Sequence, residues 1–481
     1  MNKKLLYFSL LVLGGLPAGH AAADDDFLEL GNRRELFVDH TLIAALNGAT
    51  LRLHEPVREG VALQFDRPYE GRYSAYATVL NDRGKFRMYY RGLPSPGADI
   101  KAVTCYAESI DGVHWTKPDL GLYEYEGSTT NNIVFGEKNV YSRNFSPFID
   151  NRPGVPESER FKAIAGVETK GLVAFVSGDG LNWRRWGPEY IFTDGMFDSH
   201  NVVFWSDHEQ AYVCYFRTWT GEGFEGYRTI SRTTSPDLLN WSPPVRARFG
   251  DTPMEHLYTN GMQPYFRAPH IYIGLAKRFF PEKAAFSLAK GQSFHRDPNR
   301  GDSSSDAVLL SSRGGDLIDR TFMEGFIRPG PTPRDWAARD NTPALGIVPS
   351  GERDMYIYRM SHYGQVTAHL SLHRLRTDGF VSINAPYEGG EVVTKPFTFS
   401  GDELVINYGT SAAGSVRVEI LDAEGNVVPG FSAEECELIF GDEIDRPVRW
   451  GADADLADLN GVPVRLRIEM SDADLYSFQF R

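Results

Sequence analysis

Apolar and polar residues alternate with a period of two along most of the chain, in runs of five to eight. AYATV, FRMYY and VTCYAES come first, then FKAIAGV and LVAFVS, then NVVFW, YVCYF and YRTISRTTS. That period belongs to half-buried β-strands, and helical periodicity is almost absent. Each group ends in one seven-residue frame: SIDGVHW from Ser109, SGDGLNW from Ser177 and SPDLLNW from Ser235. Its Asp is expected to cap a tight turn, its Gly to take the positive φ, and its Trp to return to the core on a fourth strand. SSRGGD (Ser311 to Asp316) and RTDGF (Arg376 to Phe380) are weaker copies. The markers Asp111, Asp179, Asp237, Asp316 and Asp378 are spaced by 68, 58, 79 and 62 residues. Five units of four strands predict an all-β fold, a five-bladed β-propeller, with LRLHEPV (Leu51 to Val57) completing the last blade. Beyond Pro396 the strands ELVINY, SVRVEIL, VRLRIEM and YSFQF predict a C-terminal β-sandwich. The expected domains are a propeller over 24–396 and an accessory sandwich over 397–481.

The N-terminus changes the picture of where the chain works. MNKK, an apolar run from Leu5 to Leu16 and AAA before DDD have the order of a secretory signal over residues 1–23. The expected location is periplasmic or secreted. No later run is long and apolar enough for a membrane span. With 50 Lys and Arg against 64 Asp and Glu, the formal charge is −14. That argues against nucleic-acid or membrane partners while leaving room for a local basic pocket. Cys105, Cys214 and Cys436 read as small buried hydrophobes.

In a propeller, residues ahead of the innermost strands converge at the axis. Glu70 in YEGRYSAYATVL, Asp198 in MFDSHNVVFW and Glu255 in MEHLYTNGMQPYF hold that place on the first, third and fourth units, and Asn144 holds it on the second. Three carboxylates can supply a general acid, a group on the opposite face of the sugar, and a neighbour that tunes the acid. Asp39 and Asp66 are rivals for the first position. Arg91, Arg267, Lys277, Arg278 and Arg328 are candidates for gripping an anionic sugar substituent or for pairing with the acids. His200, His256, His270 and His362 are candidate contacts. No pair has metal-site spacing, so no metal or cofactor is expected, with a structural Ca²⁺ left open. HRDPNR, from His295 to Arg300, reads as a surface loop.

These acids, the five units and the terminal sandwich resemble the five-bladed propeller glycoside hydrolases of families 43, 32, 68 and 117. The chain is also similar to exported bacterial proteins carrying LFVD, MYYRG, EHLYTN and TKP segments. The family 43 order implies Glu70 as base, Asp198 as the tuning and orienting residue, and Glu255 as general acid, with inversion favoured. This chain has Glu where that family has Asp, and it lacks the WMNDPNG opening of family 32. The resemblance implies an exported, exo-acting glycoside hydrolase on plant or algal poly- or oligosaccharides. Two alternatives stand beside it. One is a sialidase-like hydrolase with an Arg cluster and a Tyr nucleophile; the other is a non-catalytic sugar-binding propeller. The oligomeric state is not legible.

Overall fold

The computed structural model describes residues 27–95, 102–136, 139–294, 303–337, 339–452 and 454–481. The expected signal segment and the HRDPNR loop lie outside them. Strands dominate. Five consecutive antiparallel sets account for residues 57 to 376. The first is Ala75–Asp82, Lys85–Gly92, Val103–Ser109 and Ile133–Phe135. The second is Ser146–Ile149, Phe161–Val167, Gly171–Ser177 and Arg184–Trp186. The third is Val202–Ser206, Ala211–Trp219, Arg228–Ser235 and Val245–Arg246. The fourth has three strands where four were expected: Gln263–Tyr265, Ala268–Phe280 and Ser304–Ser312. The fifth is Thr342–Ser350, Asp354–Ser361, His369–Arg376 and, from far upstream, Val57–Gln64.

The middle strands of the second set, Phe161–Val167 and Gly171–Ser177, are buried at every position. A strand covered on both faces reads as a continuous apolar run. The last strands carry the charge instead: Arg184, Arg185, Val245 and Arg246 are exposed at sheet edges, where charged side chains oppose pairing with other chains. Apolar cores lie between neighbouring sets. Phe148, Ile164 and Leu172 of the second pack with Val203, Tyr212 and Cys214 of the third. The first strands also touch in a cycle. Ala75–Asp82 meets Ser146–Ile149, which meets Val202–Ser206, then Gln263–Tyr265, then Thr342–Ser350, which returns to Ala75–Asp82. The return is a parallel contact of Leu345 with Thr78. Gly346 is required there, because a Cβ on it would lie 2.2 Å from the Val79 carbonyl oxygen.

Two expectations change. Thr50–Leu53 does not close the fifth set; it pairs with Val381–Ala385 in a separate ten-stranded sheet system, and Val57–Gln64 closes the set instead. That system holds the C-terminal strands together with Leu28–Gly31, Arg34–Leu36 and Ile43–Asn47, so a boundary at 396 falls inside it. Hydrophobic alternation marks strands but not partners, which is why N-terminal strands paired at the far end of the chain went unread.

The repeated frame has one geometry in all three copies. Asp111 Oδ1 accepts from the Ser109 hydroxyl at 2.9 Å and from the amides of Val113 and His114 at 2.9 and 2.8 Å. Asp179 and Asp237 repeat these bonds. The indoles of Trp115, Trp183 and Trp241 donate to the carbonyls of Gly112, Gly180 and Leu238 at 3.0–3.1 Å. The Trp therefore closes the turn rather than sitting on the fourth strand. Gly112, Gly180 and Leu238 take φ of 74°, 75° and 70°. The weaker copies do other work. Asp316 pairs with Arg248, and buried Asp378 accepts from Tyr265, Ser477 and Asn407 where the fifth set meets the ten-stranded system. Cys105, Cys214 and Cys436 are buried and unpaired.

Candidate active site

The cavity at the centre of the cycle has a volume of about 230 Å³. Every set contributes to its wall: Tyr76 and Arg91 from the first, Arg143 from the second, Asp198 from the third, Tyr258 and Lys277 from the fourth, and Arg339, Thr342 and Tyr363 from the fifth. The three expected acids do not meet here. Asp198 alone lines the cavity.

Glu70 is fully buried, and its oxygens are spent inside the first set. Oε1 accepts from the Tyr90 hydroxyl at 2.6 Å, and Oε2 from Lys117 Nζ at 2.7 Å and the Arg67 amide at 3.1 Å. Glu255 is held between Arg278, at 2.9 Å, and Arg320, at 3.0 Å. The rivals fare no better. Asp39 pairs with Arg313 and caps Thr41, while Asp66 shares Lys117 with Glu70. An acid ahead of an inner strand marks the right end of the strand, but the side chain's direction depends on local pairing that the sequence does not display.

The other candidates divide. Arg91 lines the cavity, where its guanidinium lies 4.9 Å from the Tyr76 ring centroid and donates to the Tyr73 carbonyl. His200 lies beneath the wall. Its ring centroid is 5.4 Å from that of Tyr76, and burial, with Arg91 nearby, holds its pKa down to about 4. Asn144 is structural: its amide donates to the Phe197 carbonyl and its oxygen accepts from the Gly166 amide. His256 accepts from the Arg228 amide and packs on Tyr227. Arg278 joins Glu255 to Asp306. Arg267 is directed to Asp445 and Asp378 of the junction with the ten-stranded system, away from the cavity. Arg328, His270 and His362 pair with Glu55, Glu35 and Asp335.

Lys277, also among the expected cations, lines the cavity and donates to the Thr342 hydroxyl at 3.1 Å; what the sequence reading missed is the phenol of Tyr258 and the cations Arg143, Arg217, Arg228 and Arg339. Tyr258 is fixed through its backbone, with its amide donating to the Lys277 carbonyl at 2.7 Å and its carbonyl accepting from the Ser199 hydroxyl at 2.9 Å. The Lys277 ammonium lies 5.3 Å from the Tyr258 ring centroid, the Arg217 guanidinium 4.9 Å and the Arg228 guanidinium 5.3 Å. Burial opposes ionisation of Tyr258, but Arg339, Arg217 and Arg228 outweigh it and hold the phenol below its ordinary range. Arg217 pairs with Asp198. Burial, joined by the repulsion of Arg217 and Arg339, brings Arg228 down to about 10 against the opposing pull of Tyr258 and Asp198. Tyr76, Arg339, Asn341 and His362 all take positive φ, from 52° to 62°, around this cavity. Such strain costs of order 1 kcal/mol per residue and concentrates where side chains must be aimed.

The wall therefore has four cationic side chains, Arg91, Arg143, Lys277 and Arg339, against one carboxylate whose charge Arg217 already answers. The wall is thus locally basic in a protein of net charge −14. A larger cavity of about 560 Å³ lies off the axis on the third set, among Thr220, Tyr227, Arg246, Phe249 and Met254. It gathers no comparable charge. Among the described residues no group of three or more His, Cys, Asp or Glu could hold a metal ion, and no helix is long and apolar enough to cross a membrane.

No family model matches the chain, and no curated protein matches it. Its structure is similar to a solved glycoside hydrolase at 11% identity and a TM-score of 0.46, over 67% of this chain and 92% of that one. A family 43 arabinoxylan arabinofuranohydrolase from Bacillus subtilis, in complex with cellotetraose, gives 11% and 0.40 over 89% and 99%. An α-L-arabinanase from Penicillium chrysogenum, with arabinobiose, gives 10% and 0.38 over 68% and 98%. With TM-scores below 0.5, these likenesses carry nothing about which residues react.

Proposed function

We propose that this chain is an exported glycoside hydrolase that cleaves a sugar bearing a carboxylate or sulfate inside the axial cavity. The fold it uses is a five-bladed β-propeller closed by Val57–Gln64, with an accessory β-sandwich built from both ends of the chain. One observation carries the reading: the only carboxylate on the cavity wall among the described residues, Asp198, stands in a ring of four cations at the convergence of all five strand sets. Glycoside hydrolysis needs a carboxyl group beside the scissile bond to move a proton, and Asp198 is the one the wall offers among the described residues; its side chain is 38% exposed, with Oδ1 on Arg217 and no protein partner on Oδ2 among the described residues. The cations select the charged sugar and hold its ring against the acid. The small volume of the cavity suits one terminal sugar, which favours exo action.

The two-carboxylate inverting scheme does not fit this wall. Inversion by that route needs a second carboxylate roughly 6.5–9.5 Å from the acid across a water, and Glu70 and Glu255 are committed elsewhere. The reading is tested by incubating the protein with matched neutral, uronate-bearing and sulfated oligosaccharides and following reducing-end release. Release confined to the charged members supports it, and the preferred class separates carboxylate from sulfate. Binding without release from any member points to the non-catalytic propeller instead.

A further inference from the structure

We infer that the off-axis cavity on the third set holds the neutral remainder of the substrate, the uncharged sugars attached to the charged sugar in the axial cavity. This rests on the hydrolase reading above and deepens it. The substrate is a mixed oligosaccharide, anionic at its terminal sugar and neutral next to it.

The two cavities sit at the same end of the third set. Asp198 precedes the first strand of that set, and antiparallel pairing of Val202 with Tyr215 brings Arg217 and Trp219, at the end of the second strand, back beside it. The ion pair of Arg217 with Asp198 follows from that pairing. Of the residues lining the off-axis cavity, Thr220 continues the second strand and Tyr227 leads into the third. Arg246 ends the fourth strand, with the Ala247 amide still bonded to the Ile230 carbonyl at 2.9 Å, so the chain beyond it lies at this end too. One short segment then joins the two walls: Met254 lines the off-axis cavity and Tyr258 the axial one. Four residues of fully extended chain span at most about 14 Å, a gap that a short oligosaccharide bridges.

Asp198 sets the direction. It comes from the third set, so a glycosidic bond cleaved beside it leaves the departing sugar over that set. The axial cavity, about 230 Å³, suits one sugar, and the rest of the substrate must lie outside it. The off-axis cavity, about 560 Å³, is the larger space in that direction.

Its lining fits a neutral sugar. Tyr227 and Met254 are 42% and 48% exposed, and Phe249 is half-buried. The Tyr227 ring is held by packing on His256, with centroids 4.8 Å apart, and His256 is held in turn by accepting from the Arg228 amide at 3.1 Å. Apolar side chains fixed in an exposed concavity, with a few polar groups among them, mark a ligand site. A sugar ring lays its C–H face on such an aromatic and turns its hydroxyls to the polar groups. The charges here balance. Arg246 donates to the Trp219 and Thr220 carbonyls at 3.1 and 3.4 Å, and Arg248 is bound by Asp316 at 2.8 and 2.9 Å. The Asp251 carboxylate has no protein partner among the described residues. It would repel an anionic sugar, whereas the hydroxyls of a neutral one can donate to it.

The first test needs no turnover. Cellotetraose, xylotetraose, arabinotetraose and galactotetraose, all uncharged, are titrated calorimetrically into wild type, Tyr227→Ala and Met254→Ala. Wild type should bind at least one of them, with Kd raised at least about tenfold in Tyr227→Ala and about threefold in Met254→Ala. Arg339→Ala, altered in the axial cavity, should bind that tetrasaccharide like wild type. Both exposed side chains can be removed with little change in Tm, which calorimetry of the same samples checks. The second test uses charged oligosaccharides carrying one to three neutral sugars. Wild-type kcat/KM should climb at least about tenfold with length, and Tyr227→Ala should abolish the climb. No neutral tetrasaccharide bound by wild type, or binding that persists in both variants, overturns the assignment while the hydrolase reading stands. So does a substrate charged at every sugar cleaved as fast as the mixed one. Wild type inert towards every charged oligosaccharide overturns the hydrolase reading and the leaving-group role with it, and neutral-sugar binding would then belong to a non-catalytic propeller.

Discussion

Substituting Glu70 by Gln separates a structural acid from a catalytic one. The carboxylate is fully buried and takes bonds from Tyr90 at 2.6 Å, Lys117 at 2.7 Å and the Arg67 amide at 3.1 Å. Gln keeps the shape but replaces one acceptor by an NH₂ donor, which must face a phenol, an ammonium or an amide that also donates. Removing one partner of a buried ion pair costs about 3–5 kcal/mol. Lys117 keeps Asp66 and the Gln64 carbonyl, so the lower end, about 3 kcal/mol, applies here. Unfolding entropy near about 2.1 cal/mol/K per residue, over a cooperative unit of roughly 300 residues, turns that into a fall of about 5 °C in Tm. Scanning calorimetry reads the shift, and turnover measured well below both melting temperatures should stay within a few-fold of wild type. A Glu70→Gln protein that melts with wild type yet has lost turnover by orders of magnitude would refute the reasoning and return Glu70 to the active site.

Three further outcomes follow from particular residues. His200 has a folded-state pKa of about 4 against an ordinary value near 6.5, so its neutral form stabilises the fold fully above about pH 6.5 and progressively less down to pH 4. The loss over that window is of order 3 kcal/mol, and His200→Gln should flatten it in urea melts taken across the range. At Leu238 a φ of 70° costs about 1–2 kcal/mol that Gly would recover. Its side chain is fully buried between the second and third sets, which contributes about 2–3 kcal/mol, so Leu238→Gly should lower Tm despite the relieved backbone. Arg339→Ala should raise KM for a charged oligosaccharide at least about tenfold and reduce the dependence of KM on salt, with little change for its neutral counterpart.

The strand alternation and the repeated Ser–x–Asp frame made the sets legible, because a turn is specified by the few residues within it. The frame's Asp bonds only to its own neighbours, so its role could be read locally. The candidate site could not, because its members meet only when the cycle closes. Position ahead of an inner strand identified Asp198 and also brought in Glu70 and Glu255, whose side chains turn to Lys117 and to two arginines. A better signal was present. Buried asparagines recur at the starts of inner strands, at Asn144, Asn201, Asn260 and Asn341, where they donate to backbone carbonyls. Counting back two residues from Asn260 and Asn341 lands on Tyr258 and Arg339, both on the cavity wall. Arg217 had no such marker, since it reaches the centre from a second strand, as does Lys277, which was legible as one of the basic candidates.

The central claim, that hydrolysis takes place in the axial cavity rather than around the arginine-bound acid, rests most directly on Asp198→Asn and Glu255→Gln compared on one charged oligosaccharide. The account predicts that kcat falls at least about a thousandfold in Asp198→Asn and stays within about tenfold in Glu255→Gln, with both proteins folded. Full turnover in Asp198→Asn together with its loss in Glu255→Gln would contradict it.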